Sequence, residues 1–155
     1  MDDREARLFR IEQLKQRITR DKSHGSLFDE CIDALGSETR IYSLEASQNI
    51  VTTMVNTFNF TRWGRLDWNG FAYNGNLIRI NELMKLEFIN TNEDYQIIWD
   101  EYSLPVVESS LVKIIENFDD VIAVGFDTWI INFELGIIIE NHHEGEITIG
   151  VKKLF

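Results

Sequence analysis

Cysteine, proline and histidine are nearly absent: one Cys, one Pro and three His in 155 residues. A lone Cys31 cannot close an internal disulfide, which suits a reducing compartment, and its place on an apolar helix face marks it as a buried, inert thiol. No apolar run approaches the ~18 residues a membrane span needs. The first 22 residues alternate charges and lack the apolar core of a signal peptide. A soluble cytoplasmic protein is therefore expected. Missing too are a nucleophile elbow, a Cys-His signature, a Gly-rich phosphate loop and a helical HExxH spacing, so no residue is singled out as catalytic and no cofactor is implied. The sharpest shortage is of positive charge. Between Glu93 and Ile149 there is one base, Lys113, against thirteen acids.

What is present is apolar residues at 44% and a net charge of −11. The chain is long enough to bury a core as a single domain, 1–155, with 1–58 mainly helical and 59–155 β-rich around one helix near 109–118. The charge is uneven: residues 1–22 carry +2 and residues 23–155 carry −13. A surface of that sign repels nucleic acid. It attracts a basic protein, with an affinity that salt weakens.

Leu8, Ile11, Leu14 and Ile18 share one stripe and predict a helix over 3–20, broken by Lys22-Ser23-His24-Gly25. Ser26 is expected to cap a second helix with Leu27, Cys31, Ile32 and Leu35 facing inward, and Gly36 ends it. A third runs from Leu44 to about Thr57 behind a Ser43 cap, with a strand as the competitor given Val51, Thr52, Thr53 and Val55. Asn69-Gly70 and Asn74-Gly75 read as turns. Residues 81–88 suggest a short helix, Tyr95–Trp99 a strand, and a further helix is capped near Ser109. Val121–Val124, Thr128–Asn132, Gly136–Asn141 and Glu146–Val151 read as strands, the last two joined at Glu144-Gly145. Ile147, Ile149 and Val151 alternate with Glu146, Thr148 and Gly150, which predicts one buried and one wet face. The fold class is α+β, with N-terminal helices packed on a C-terminal, mainly antiparallel β-sheet.

The densest polar cluster is Glu140-Asn141-His142-His143-Glu144-Gly145-Glu146. Neighbours on a strand point to opposite faces, so His142 and His143 are not expected to converge, and a polar hairpin end without metal is the reading adopted. A metal-assisted hydrolase using Glu140, His142 and Glu144 is one alternative; an acidic nucleic-acid mimic is another. Trp63, Trp68, Trp99 and Trp129 are expected as core or half-buried anchors. Trp68 follows Asp67, and Trp99 precedes Asp100 and Glu101, an arrangement suited to a basic partner.

Several segments carry a resemblance. They are Thr61-Arg62-Trp63-Gly64-Arg65-Leu66-Asp67-Trp68, Ser103-Leu104-Pro105-Val106-Val107, Ile114-Ile115-Glu116-Asn117-Phe118-Asp119-Asp120-Val121, Val124-Gly125-Phe126-Asp127-Thr128-Trp129 and the ending Glu144-Gly145-Glu146-Ile147-Thr148-Ile149-Gly150. Together they resemble immunity proteins of bacterial contact-dependent growth inhibition (CdiI-like) and related polymorphic toxin systems, over about residues 60–151. The resemblance implies a small, non-enzymatic cytoplasmic protein that binds and blocks a toxin domain, often a nuclease. It supplies no contact residues. From charge and expected exposure, the candidates for toxin binding are Asp67, Trp68, Asp100, Glu101, Asp119, Asp120, Glu140, Glu144 and Glu146.

Overall fold

The computed structural model describes residues 3–8, 10, 24–101 and 103–152. Residues 3–8 and 10 are helical, and the rest of the helix expected over 3–20 lies outside the described residues. Helix α1 is Ser26–Leu35, strand β1 Arg40–Ile41, helix α2 Leu44–Thr57 and strand β2 Tyr73–Leu77. A 3-10 turn at Ile80–Lys85 leads to β3 Asp94–Trp99 and β4 Val107–Ser110. Helices α3 Leu111–Glu116 and α4 Phe118–Ile122 follow, then β5 Thr128–Asn132, β6 Ile137–Asn141 and β7 Ile147–Val151.

Local chemistry sets several boundaries. The Ser43 side chain accepts the Ala46 N–H and so caps α2, filling one of the orphan donors at a helix start. Gly36 ends α1 with φ at 99°, its N–H closing on the Ile32 carbonyl. Helix α1 begins without a side-chain cap, so Ser26 is its first residue rather than the residue that caps it.

The seven strands form one antiparallel sheet in the order β1-β4-β3-β5-β6-β7-β2. The fold is α+β, as the residue pattern indicated. Helices cover both faces of the sheet. One face packs Tyr95, Ile97, Ile130, Ile139 and Ile149 against Phe28, Cys31 and Leu35 of α1 and the apolar sides of α3 and α4. The other packs Ile98, Trp129, Ile131 and Ile138 against Met54 of α2, with Phe58 and Leu66 alongside. Each fully buried isoleucine contributes about 1.5–3 kcal/mol, and the central strands supply them on both sides.

Three expectations change in the structure. Strand β7 has no wet face: Thr148 and Gly150 are buried as well as Ile147, Ile149 and Val151. Trp68 and Phe71 lie directly on the Gly150 backbone, where an added Cβ would come within 2.5 Å of the indole and 2.8 Å of the phenyl ring. Asn74-Gly75 is not a turn but the middle of β2, paired with Gly150 and Ile149. Residues 121–124 are not a strand. Val121 is buried on α4 beside Phe118, and the chain then turns into β5.

Candidate partner-binding surface

The antiparallel register decides which acids become neighbours. Trp99 pairs with Thr128, Thr128 with Asn141, Asn141 with Ile147 and Ile147 with Leu77. One end of the sheet therefore gathers the residues that follow β3, precede β5, join β6 to β7 and follow β2. These are Asp100 and Glu101, Phe126 and Asp127, the turn 142–146, and Ile78 with Arg79. Phe126 is 73% exposed there. A cleft of about 490 Å³ runs between this end and α4, with Asp119, Phe126, His142, His143, Arg79 and Ile78 among its lining.

The acids in this group have different occupations. The Asp100 carboxylate accepts the Phe126 N–H at 3.1 Å, and the Asp100 N–H donates to the Asp127 carbonyl. This contact needs Gly125, since a Cβ there would sit 2.8 Å from the Asp100 carboxylate. Asp127 accepts the His143 N–H at 2.9 Å and lies 3.1 Å from that ring's Nδ1. Glu146 pairs with Arg65 at 2.9 Å. Asp67 accepts the Asn69 N–H and shapes the Asn69-Gly70 turn. Glu101, Asp119, Asp120 and Glu144 are exposed and have no ion-pair partner among the described residues. They are the carboxylates most available to an incoming cation.

Glu140, expected at the surface, is 1% exposed. It lies on the sheet face covered by α2 and accepts three groups: the Leu66 N–H at 2.9 Å, the Trp129 indole N–H at 2.9 Å and the Arg65 guanidinium at 3.5 Å. Burial lowers the tendency of Arg65 to stay charged, but its bond to Glu146 and the charges of Glu140 and Glu146 outweigh that and raise its pKa. Glu140 is thus an internal anchor for the loop 61–66. Trp68, half-buried over Gly150, and Asp67 sit on that same face, away from the acidic end. Trp99 and Trp129 are buried, whereas Trp63, expected as an anchor, is 78% exposed with the Arg62 guanidinium over its ring.

The two histidines also depart from expectation. Their ring centroids are 4.0 Å apart, because the chain leaves strand geometry at His142. A turn closed by the His142 N–H to the Glu146 carbonyl and the Gly145 N–H to the His142 carbonyl folds both rings to one side. Gly145 takes φ at 93° within it, a conformation favourable to glycine. Asp127, His142 and His143 bring one donor atom each within 4.8 Å of one another and could hold a metal. Both Nδ1 atoms are already engaged, that of His143 with Asp127 and that of His142 with the Glu144 N–H of the turn at 3.3 Å. The set Glu140, His142 and Glu144 is not assembled, since the Glu140 carboxylate is committed on the α2 side.

Residue patterning missed Phe126 and Arg65. An aromatic between Gly125 and Asp127, outside any apolar stripe, is the signal that could have marked Phe126 for exposure. Arg65 had none in one dimension; its partners lie 75 and 81 positions away. No described helix is long and apolar enough to cross a membrane. A family model described as CdiI immunity protein EcoliA0-like matches residues 25–150. No curated protein matches the chain.

Proposed function

The chain belongs to the CdiI immunity protein family and is a toxin-neutralising immunity protein; we propose that it acts in the cytoplasm by stoichiometric occlusion of a basic toxin domain, a nuclease, through the acidic end of its sheet. The observation that carries this reading is the register, which draws Asp100, Glu101, Asp127, Glu144 and Glu146 to one end, beside exposed Phe126. A nuclease grips its substrate's phosphates with a basic cleft. An acidic surface with an aromatic at its centre suits such a cleft, the carboxylates steering the approach and the ring supplying contact area. Binding of this kind needs no chemistry from the chain itself, and a standard interface buries about 1,600 Å² in total.

The test uses the acids that carry no internal load. The triple variant Glu101→Lys/Asp119→Lys/Glu144→Lys is expected to fold normally and to associate with the toxin domain at least tenfold more slowly. The wild-type chain should abolish nucleic-acid cleavage by that domain at one equivalent. Unchanged association kinetics in the folded variant would remove the acidic end as the docking face. A toxin domain that cleaves no nucleic acid would remove the nuclease.

A further inference from the structure

On the face covered by α2, the helix does not seal against the sheet. A cavity of about 350 Å³ remains, walled by Val51, Met54 and Val55 of α2, by Phe60, and by Ile98 and Trp129 of the sheet. Its rim is apolar as well. Leu44 and Val55 line it and are each about half exposed. An apolar hollow with an exposed apolar rim is unusual on a protein that stays alone in water, and such sites mark interaction surfaces. The volume lies at the small end of the range for ligand pockets, which suits a side chain better than a nucleotide.

Charge narrows the occupant. Asp100 and Glu101 are the only charged residues lining the cavity among the described residues. Of the neighbouring bases, Arg65 is held by Glu140 and Glu146, and Arg62 lies over the Trp63 ring. The lining is therefore negative at Asp100 and Glu101 and otherwise uncharged and mainly apolar, and these two acids belong to the acidic end of the sheet. We propose that this cavity receives one apolar side chain of the toxin domain, of leucine or phenylalanine size, carried next to a lysine or arginine that meets Asp100 and Glu101. The proposal rests on the toxin-binding reading above and adds the anchor that holds the complex once charge has assembled it. Steering charges set the association rate, while a desolvated side chain in a pocket governs dissociation.

The experiment measures binding of the full chain to its toxin domain, the latter inactivated by substitution. Leu44→Asn/Val55→Asn changes exposed rim residues without altering charge. It is expected to raise the dissociation rate about tenfold and to change association less than twofold. Val51→Trp, which fills the cavity, should act in the same direction, and circular dichroism checks that both variants fold. The Met54 methyl resonance, inside the cavity, should shift when the wild-type complex forms. Wild-type dissociation in the rim variant, or an unmoved Met54 methyl signal in the complex, overturns the anchor while leaving the immunity reading intact. If the wild-type chain fails to bind the toxin domain at all, both readings fall together.

Discussion

Glu140 shows how a single carboxylate can be structural in a chain otherwise crowded with surface acids. Its three donors come from a loop amide, an indole and a guanidinium. Removing it strands the buried amide and indole N–H groups and leaves Arg65 to Glu146 alone. Glu140→Ala is therefore expected to cost about 2–5 kcal/mol, since each buried donor left unpaired costs about 1–3 kcal/mol, seen as a lower urea midpoint. Glu144→Ala, on the exposed turn, should fall within about 0.5 kcal/mol of wild type. A second residue-scale effect concerns alkali. Burial, helped by the charge of Asp120, pushes the Cys31 thiol up to about 12; burial and Glu93 push the Tyr95 hydroxyl up to about 12. Both groups stay protonated in the folded chain where the unfolded chain loses its protons, from about pH 8.5 for the thiol and about pH 10 for the phenol. Stability is fully present below those values and is lost as pH rises toward 12. The melting temperature should fall between pH 9 and pH 11, and less steeply in Cys31→Ala than in wild type.

At the scale of elements, contact between the loop 67–71 and β7 depends on the missing side chain of Gly150. Gly150→Ala puts a methyl where the Trp68 and Phe71 rings already lie, and overpacking of that kind costs about 1–3 kcal/mol. In a Trp68→Ala background the same substitution should cost clearly less, so thermal melts of the two single variants and the double variant reveal the coupling. The elements differ in how openly the residues announce them. Helix α2 was legible from its cap at Ser43 and the spacing of Ile50, Val51 and Met54, although its β-branched content kept a strand in contention. Strands β5, β6 and β7 were plain from their isoleucines, but their second buried face was not. Alternation cannot distinguish a wet face from one roofed by a distant segment, and the roof here is α2 with residues 58–71. Glu140 was misjudged for that reason, although the unbroken run Ile137-Ile138-Ile139 before it already fits a strand buried on both faces. Asn74-Gly75 has strong turn chemistry, yet pairing with β7 overrides it. Exposure at Glu101, Asp119, Asp120 and Glu144 was legible from charge alone; the grouping of Glu101 and Glu144 with Phe126 required the register.

For the whole molecule, the net charge of −11 and the gathering of carboxylates at one sheet end together predict a strong salt response. Association with the toxin domain should slow roughly tenfold or more between 0.05 M and 0.5 M salt, with dissociation changing far less. Stopped-flow measurements across that range check it. A flat profile would mean that apolar contact alone governs encounter.

The strand order also has a consequence for how soon a newly made copy becomes protective. Both edges of the sheet are filled by early strands, β1 and β2, whose partners β4 and β7 lie far downstream. Tyr73 must find Val151, nearly 80 residues later. At a ribosomal pace of roughly 5–20 residues per second, β2 is out of the decoding centre some 4–16 seconds before its partner has been translated. The early half therefore has no template to pair with and waits as helices and unpaired chain. The acidic end, which needs β3, β5, β6 and β7 in register, is completed only with the last strand. With the docking face proposed above, protection against an arriving toxin rests on chains already completed, and half-synthesised chains add nothing to it.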